Sequence, residues 1–490
     1  MVDLELAKEK ISKKMYSEAL ELLTGLRNKF PDDENIIFHL AKCYFYLGQY
    51  AEALDILPSV KQNKNFDVSE FIDDLNRKIK EECKKSNAAG NYEYTAQILD
   101  KYCSFIDCRG IAEDLCDSIV KSMEEYNFHG QYDNASVLYN KYHGRFSNDA
   151  FFSNKMLNAY ELAAHKIVLE SKPRSIMLVL TNSCDLDCIM CYQDKKTVKN
   201  IDKKVVDIVL DNLQYLEKIV WQGGEVLILP YFREILLKTI EFPKIHQIIT
   251  TNFQNAGEEI IELMTKNNIH LIVSIDGAAK ETYERIRIGA SFDNLEKNLK
   301  KINNYIMKYK SKMSLQINFL VMKSNYKEIP DIVDFAYKYK FSIVVFLRCV
   351  TDNENLKITE EYEKDIENYI KQADIKARKY NIKIIDVFSE FNDAVCNGRE
   401  TENKQTAADK GLFCHLPWYE MTVQEDNAVK PHCTCGYARL TNTDKYNNIY
   451  DIWNNEVMQE YRKQILKSDN GKCIDICRLM SSDYRKNFNK

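Results

Sequence analysis

An α/β architecture is expected for this 490-residue chain. A partial (β/α)6 barrel is assigned to residues 171–390, an all-α helical-repeat domain to 1–170, and a small cysteine-rich α+β domain to 391–490. Three features carry that expectation. Tyr16, Ala19 and Leu23 recur 34 residues later as Tyr50, Ala53 and Leu57. From residue 173 short apolar runs alternate with amphipathic stretches, as parallel strands joined by helices do. Five of the fifteen cysteines, Cys414, Cys433, Cys435, Cys473 and Cys477, crowd into the last sixth of the chain.

Such a length exceeds one ordinary hydrophobic core, so several domains are expected. With 45% hydrophobic and 29% charged residues the composition is globular. Lys and Arg number 68 against 73 Asp and Glu, a net charge of −5, which predicts neither a nucleic-acid partner nor a membrane surface. Met1 to Lys8 lacks a basic-then-apolar pattern, and no run approaches 18 apolar residues, so neither a signal peptide nor a membrane span is expected. Fifteen cysteines without an export signal predict a cytoplasmic, reducing location, where thiols serve as metal ligands, catalytic groups or bystanders.

In the first region Leu40, Tyr44, Gly48, Tyr50, Ala53 and Leu57 fit a helix–turn–helix unit in which Ala53 lets two helices cross closely. The period resembles that of the tetratricopeptide repeat. Its turn returns as Gly90-Asn91-Tyr92 and Gly130-Gln131-Tyr132, at spacings of 42 and 40. Ala135 keeps the small position and Thr95 replaces it. A helix over 151–169 is expected to cap the stack. Cys43, Cys83, Cys103, Cys108 and Cys116 read as small buried hydrophobes. A peptide or protein partner suits such an array, and so does a plain packing scaffold.

In the middle region strands are expected at 176–180, 218–222, 247–251, 271–275, 315–322 and 343–347. Phe292, Leu295, Leu299, Ile302, Ile306 and Tyr309 make one apolar helical stripe. Pro330 suits the first turn of a further helix. Active sites of such folds gather at the C-terminal ends of strands, and the polar motifs fall there. Cys184, Cys188 and Cys191 follow the first strand and Gly223-Gly224-Glu225 the second. Asn252 follows the third; Ser274, Asp276 and Arg287 belong to the fourth, and Cys349 follows the sixth. Three thiolates within eight residues would hold three corners of a cubane cluster and leave one iron open. From spacing alone a zinc site remains an alternative.

This region resembles the radical S-adenosylmethionine superfamily. The triplet matches its C-x3-C-x-Φ-C motif, with Met190 at the Φ position against adenine, and Gly223-Gly224-Glu225 matches its glycine-glycine-glutamate element, with Val226 where proline is common. The resemblance implies a [4Fe–4S] cluster on Cys184, Cys188 and Cys191. It places Gly223, Gly224 and Glu225 at the methionine amino group and turns Asn252, Ser274 and Asp276 toward ribose or substrate. Arg287 would meet the methionine carboxylate. The chemistry implied is reductive cleavage of S-adenosylmethionine to a 5′-deoxyadenosyl radical that removes hydrogen from a substrate C–H bond, with the electron drawn from an external donor. Cys349, at the barrel mouth, is a candidate hydrogen-atom donor beside the plainer reading of a buried thiol.

In the last region a hairpin is expected around Glu425-Asp426-Asn427, then a helix through Leu466. The segment resembles the SPASM/twitch extension of radical enzymes, from the Cys414-x-x-Pro417-Trp418 start to Ile452-Trp453. That resemblance implies one auxiliary [4Fe–4S] cluster on Cys414, Cys433, Cys473 and Cys477, with Cys435 as a spare; a structural zinc site has the same ligand count. Asn427 and Asn447 stand where the family favours glycine.

The leading expectation is a radical enzyme that modifies a peptide or protein presented by the repeats. The alternative is radical oxidation of a small alcohol or sugar. A third reading, of another class, is a repeat-based binding protein whose cluster senses redox state.

Overall fold

The computed structural model describes residues 2–60, 69–105, 112–193, 196–349, 351, 353–388, 414–432, 435 and 446–467. The chain divides into two compact units, Met1–Ala164 and His165–Lys490.

The first unit is all helix among its described residues. Its turns share one device: Gly48, Gly90 and Gly130 take φ of 79°, 80° and 71°, where a side chain is disfavoured. The N–H just beyond each glycine then reaches back five residues. Gln49 donates to the Tyr44 carbonyl, Asn91 to Ser86 and Gln131 to Tyr126, at 2.9, 2.9 and 2.7 Å. The longer spacings of the later units come from longer first helices: Glu34–Tyr46 has 13 residues, Ser69–Ala88 has 20 and Ala112–Phe128 has 17. Ala19, Ala53 and Ala135 are fully buried in one apolar core, and Thr95 is buried beside its helix start, its hydroxyl donating to the Asn91 carbonyl.

Two expectations change here. The capping helix is Ala150–Ala163, started by the Asp149 carboxylate, which accepts from the Phe151 and Phe152 N–H groups. It stops short of 169 because His165 turns to φ 53°. Cys43, Cys83 and Cys116 are buried as expected. Cys103, however, is disulfide-bonded and is no simple core thiol. Cys108 lies outside the described residues.

The second unit is built on one nine-stranded sheet in the order β7-β6-β5-β4-β3-β2-β1-β8-β9. The strands are β1 Ser175–Val179, β2 Lys218–Gln222, β3 His246–Thr251, β4 His270–Ser274, β5 Leu315–Val321, β6 Ile343–Arg348, β7 Lys383–Asp386, β8 Glu420–Val423 and β9 Val429–Lys430. All neighbours are parallel except β8 and β9. Parallel strands joined by helices, with β7 and β9 at the edges among the described residues, make a partial barrel. The expected helices form at Phe292–Tyr309 and Ile329–Lys338, the latter with Pro330 in its first turn. Ile176, Leu178, Ile219, Trp221, Val273, Phe319 and Phe346 fill the sheet's core.

Six strands were expected. The seventh, β7, is only four residues long, and too little of it alternates to stand out. The expected hairpin forms as β8 and β9, with Asn427 at φ 63° in the turn, but β8 lies parallel against β1. The cysteine-rich segment therefore begins as an extension of the core sheet. Asn447 does not enter the left-handed region; its N–H reaches the Asp451 carboxylate at 3.4 Å. Helices Ile449–Trp453 and Glu456–Leu466 are locked on by Arg462, which is fully buried. Its guanidinium donates to the carbonyls of Pro417, Ile167 and Trp453 at 2.8–3.0 Å and lies over the Trp453 ring.

Candidate active site

The C-terminal ends of the parallel strands gather the residues picked from the sequence. The loop after β1 carries Cys184 and Cys188, both half-buried, and Cys191, exposed. Three backbones hold this loop. Gly224 N–H donates to the Thr181 carbonyl at 2.7 Å and Glu225 N–H to Ser183 at 2.9 Å. On the other side Asp187 and Ile189 N–H groups donate to the carbonyls of Ile288 and Ile286, at 2.8 and 3.0 Å. Cys191 N–H closes a turn onto the Cys188 carbonyl.

The two glycines are required by this packing. A Cβ on Gly223 would stand 2.7 Å from the Thr181 carbonyl oxygen, and one on Gly224 would overlap the Ser183 carbonyl, 2.6 Å from its carbon. At both glycines it is the cysteine loop that comes close. Glu225 likewise serves the scaffold. Its buried carboxylate accepts from Thr251 Oγ1 at 2.7 Å, Asn252 N–H at 2.7 Å and Leu227 N–H at 3.0 Å, tying the end of β2 to the end of β3. Burial pushes its pKa up to about 7, against hydrogen bonds that pull it down.

Asn252 is turned toward the cysteine loop. Its Nδ2 donates to Asp185 Oδ1 at 2.7 Å and lies 3.8 Å from Cys184 Sγ. Asn255 holds the other Asp185 oxygen at 2.5 Å. Arg287 is already engaged at two of its nitrogens. Its Nη2 pairs with Asp276 at 2.6 Å and its Nη1 lies 3.9 Å from Cys188 Sγ, while Nε has no hydrogen-bond partner among the described residues. Asp276, buried, also accepts the Leu320 N–H at 2.8 Å, which joins β4 to β5. Ser274 is half-buried at the end of β4, in register with Asn318.

Met190 packs with Leu320 against a small apolar cluster of Ile286, Met322, Cys349 and Leu356. Cys349 thus sits at the barrel mouth beside the Φ position. Burial, and then the Asp276 charge, raise its pKa and keep the thiol protonated. In the C-terminal segment Cys414 and Cys435 are half-buried; Cys433, Cys473 and Cys477 lie outside the described residues. Among the described residues no three Cys, His, Asp or Glu side chains converge on a single ion position.

Sequence reasoning missed Asp185, Asn255 and Asn325. Asp185 sits inside the triplet, yet an acidic residue between cysteines carries no positional signal. Asn325 is buried and binds the Met322 N–H and the carbonyls of Asp276 and Leu320, at 2.7–3.0 Å, which stiffens the mouth.

Residues 178–336 match the model of the Radical SAM superfamily, and residues 10–71 a tetratricopeptide repeat. Residues 178–336 are a radical SAM domain. That match covers about a third of the chain. The chain is similar to a probable GTP 3′,8-cyclase of Methanococcus maripaludis strain C6, 28% identical over 34% of this chain and 55% of that one. It is similar also to the GTP 3′,8-cyclase of Clostridium botulinum strain Okra, 26% identical over 37% and 58%. The chain thus spans a little over half the length of these curated relatives. Among solved structures, SuiB of Streptococcus suis bound to S-adenosylmethionine aligns with a TM-score of 0.49 at 19% identity, over 67% of this chain and 76% of that one. Among the described residues no helix is long and apolar enough to cross a membrane.

Proposed function

We propose that this radical SAM enzyme modifies a peptide or protein, with the helical repeats as its docking element. The observation that carries the catalytic part is the cysteine loop itself: three thiols on one segment, pinned by Gly224 and Glu225 on one side and by residues 286–288 on the other. The donor set fits a cubane held by three cysteines, and the orphaned Nε of Arg287 fits an acceptor on a ligand beside it. Cys184, Cys188 and Cys191 would hold the cluster. When bound, the cluster and S-adenosylmethionine supply a 5′-deoxyadenosyl radical.

The chain's own residues do the rest. Gly223 and Gly224 let the two loops meet; Glu225 and Asn252 keep β2, β3 and the cysteine loop in one frame. Met190 offers an apolar, polarisable face at the mouth. Cys349, buried in the apolar cluster that Met190 packs against, would return a hydrogen atom to a substrate. A second, closed cluster on Cys414, Cys433, Cys473 and Cys477 would pass electrons away from the site. The peptide reading is supported by the tetratricopeptide match, because stacked helix pairs form extended surfaces suited to extended chains. The likeness to GTP cyclases covers 34–37% of the chain.

Anaerobic reconstitution tests this. About eight irons per chain is expected for two cubane clusters, and about four for one. With S-adenosylmethionine and a low-potential reductant the full chain should release 5′-deoxyadenosine, and Cys184→Ala should reduce that release to background; unchanged release would sink the radical reading. Deuterated peptides, deuterated GTP and deuterated sugars offered in parallel should label 5′-deoxyadenosine from the peptides alone. Label from GTP or a sugar instead would replace the substrate class.

A further inference from the structure

We propose that Arg287 is a positioning residue for the cluster: oriented by Asp276, its guanidinium holds a fixed positive charge against the Cys188 sulfur and so eases one-electron reduction of what the three cysteines hold. The proposal rests on the radical SAM reading and deepens it.

The backbone sets the pairing. Asp187 and Ile189, the neighbours of Cys188, donate to the carbonyls of Ile288 and Ile286, the neighbours of Arg287. The two bonds bracket Cys188 on one segment and Arg287 on the other and hold the two residues opposite one another. The 3.9 Å from Arg287 Nη1 to Cys188 Sγ is the result.

The charge is placed by a second constraint. Gly277 leaves no room for a Cβ, which would stand 2.6 Å from the Tyr283 backbone nitrogen. The helix Lys280–Ile286 therefore packs directly on the turn after β4, and Arg287, which caps that helix, meets Asp276 at 2.6 Å. Both residues are buried, at 7% and 1% exposure, so water screens the guanidinium little. Hydrogen bonds to the sulfurs and local net charge are what set the potential of an iron–sulfur centre. A guanidinium on a ligand sulfur favours the reduced state, which carries one more electron, received from a low-potential one-electron donor.

The test is a potentiometric titration of the reconstituted full chain, followed by electron paramagnetic resonance, without S-adenosylmethionine. Arg287→Gln should lower the reduced-to-oxidised ratio at fixed potential at least tenfold, a shift of about 59 mV to more negative values for one electron. Arg287→Lys should shift it in the same direction and less, since an ammonium lacks the fork that spans Asp276 and Cys188. Should the Gln variant fail to take up iron, the Lys variant carries the measurement. An unchanged midpoint overturns the proposal. Weakened S-adenosylmethionine binding with an unchanged midpoint overturns it too, and assigns the guanidinium to the ligand's carboxylate. If the wild-type chain assembles no cluster at all, the radical SAM reading is what falls.

Discussion

Gly130, in the helical unit, and Gly224, in the sheet unit, are both turn glycines, and they are glycines for opposite reasons. Gly130 sits at φ 71° with no atom within 4 Å of where a Cβ would stand. Gly224 has no positive φ, but the backbone of Ser183, 41 residues earlier, occupies the space a Cβ needs. The first glycine answers to its own dihedral angle; the second answers to a distant segment. The two units differ in the same way throughout. Helix turns in the repeats are closed by hydrogen bonds five residues long, whereas the site joins Cys184 to Asn252 and Cys188 to Arg287. A repeat unit therefore tolerates local change, while the site fails as a whole when one approach is blocked.

Substitution at the two glycines breaks or sustains that contrast. Gly224→Ala is expected to have the largest effect, about 3 kcal/mol from overpacking against unyielding backbone. Denaturant midpoints would read it, together with reduced iron uptake. Stability and iron content equal to wild type would show that the close approach is not what demands glycine.

Glu225 gives a middle-sized effect that is specific to the sheet unit. Its folded pKa, about 7, lies above the ordinary value of 4.5, so between these the folded chain keeps a proton that the unfolded chain has released. Its contribution to stability is full below pH 4.5 and is lost as pH rises through 7, with a slope of up to about 1.4 kcal/mol per pH unit in that window. Glu225→Gln should flatten that slope in a pH series of unfolding midpoints. A slope that survives the substitution would move the titration elsewhere.

The smallest effect is expected at Gly130→Ala, about 1 kcal/mol from the left-handed backbone alone. Thermal unfolding would read it, with iron uptake and S-adenosylmethionine cleavage untouched. A loss of cofactor there would sharpen the picture in another direction, by tying the repeats to the site.

Local pattern made much of this legible. The 34-residue recurrence, the apolar stripe from Phe292 to Tyr309 and the alternation of strands each depend on spacing within one element, and spacing is written in the chain. The site motifs were legible as well, because parallel strands deliver whatever follows them to one end of a sheet. The four-residue β7 escaped, having too few positions to show a period, as did the end of the capping helix, which turns on the backbone angle of His165.

Residue types and spacing alone therefore determined the class of fold and put the three cysteines after the first strand. Only the folded chain decided what the neighbouring polar groups do. Glu225 became a brace between β2 and β3, Asn252 turned to Asp185 and Cys184, and Arg287 was committed to Asp276 and Cys188. A buried charge must find its partner among whatever the packing brings near, and those partners lie eleven to almost a hundred residues away in the sequence. The same rule placed β8 beside β1: an open strand edge takes the partner that tertiary packing delivers.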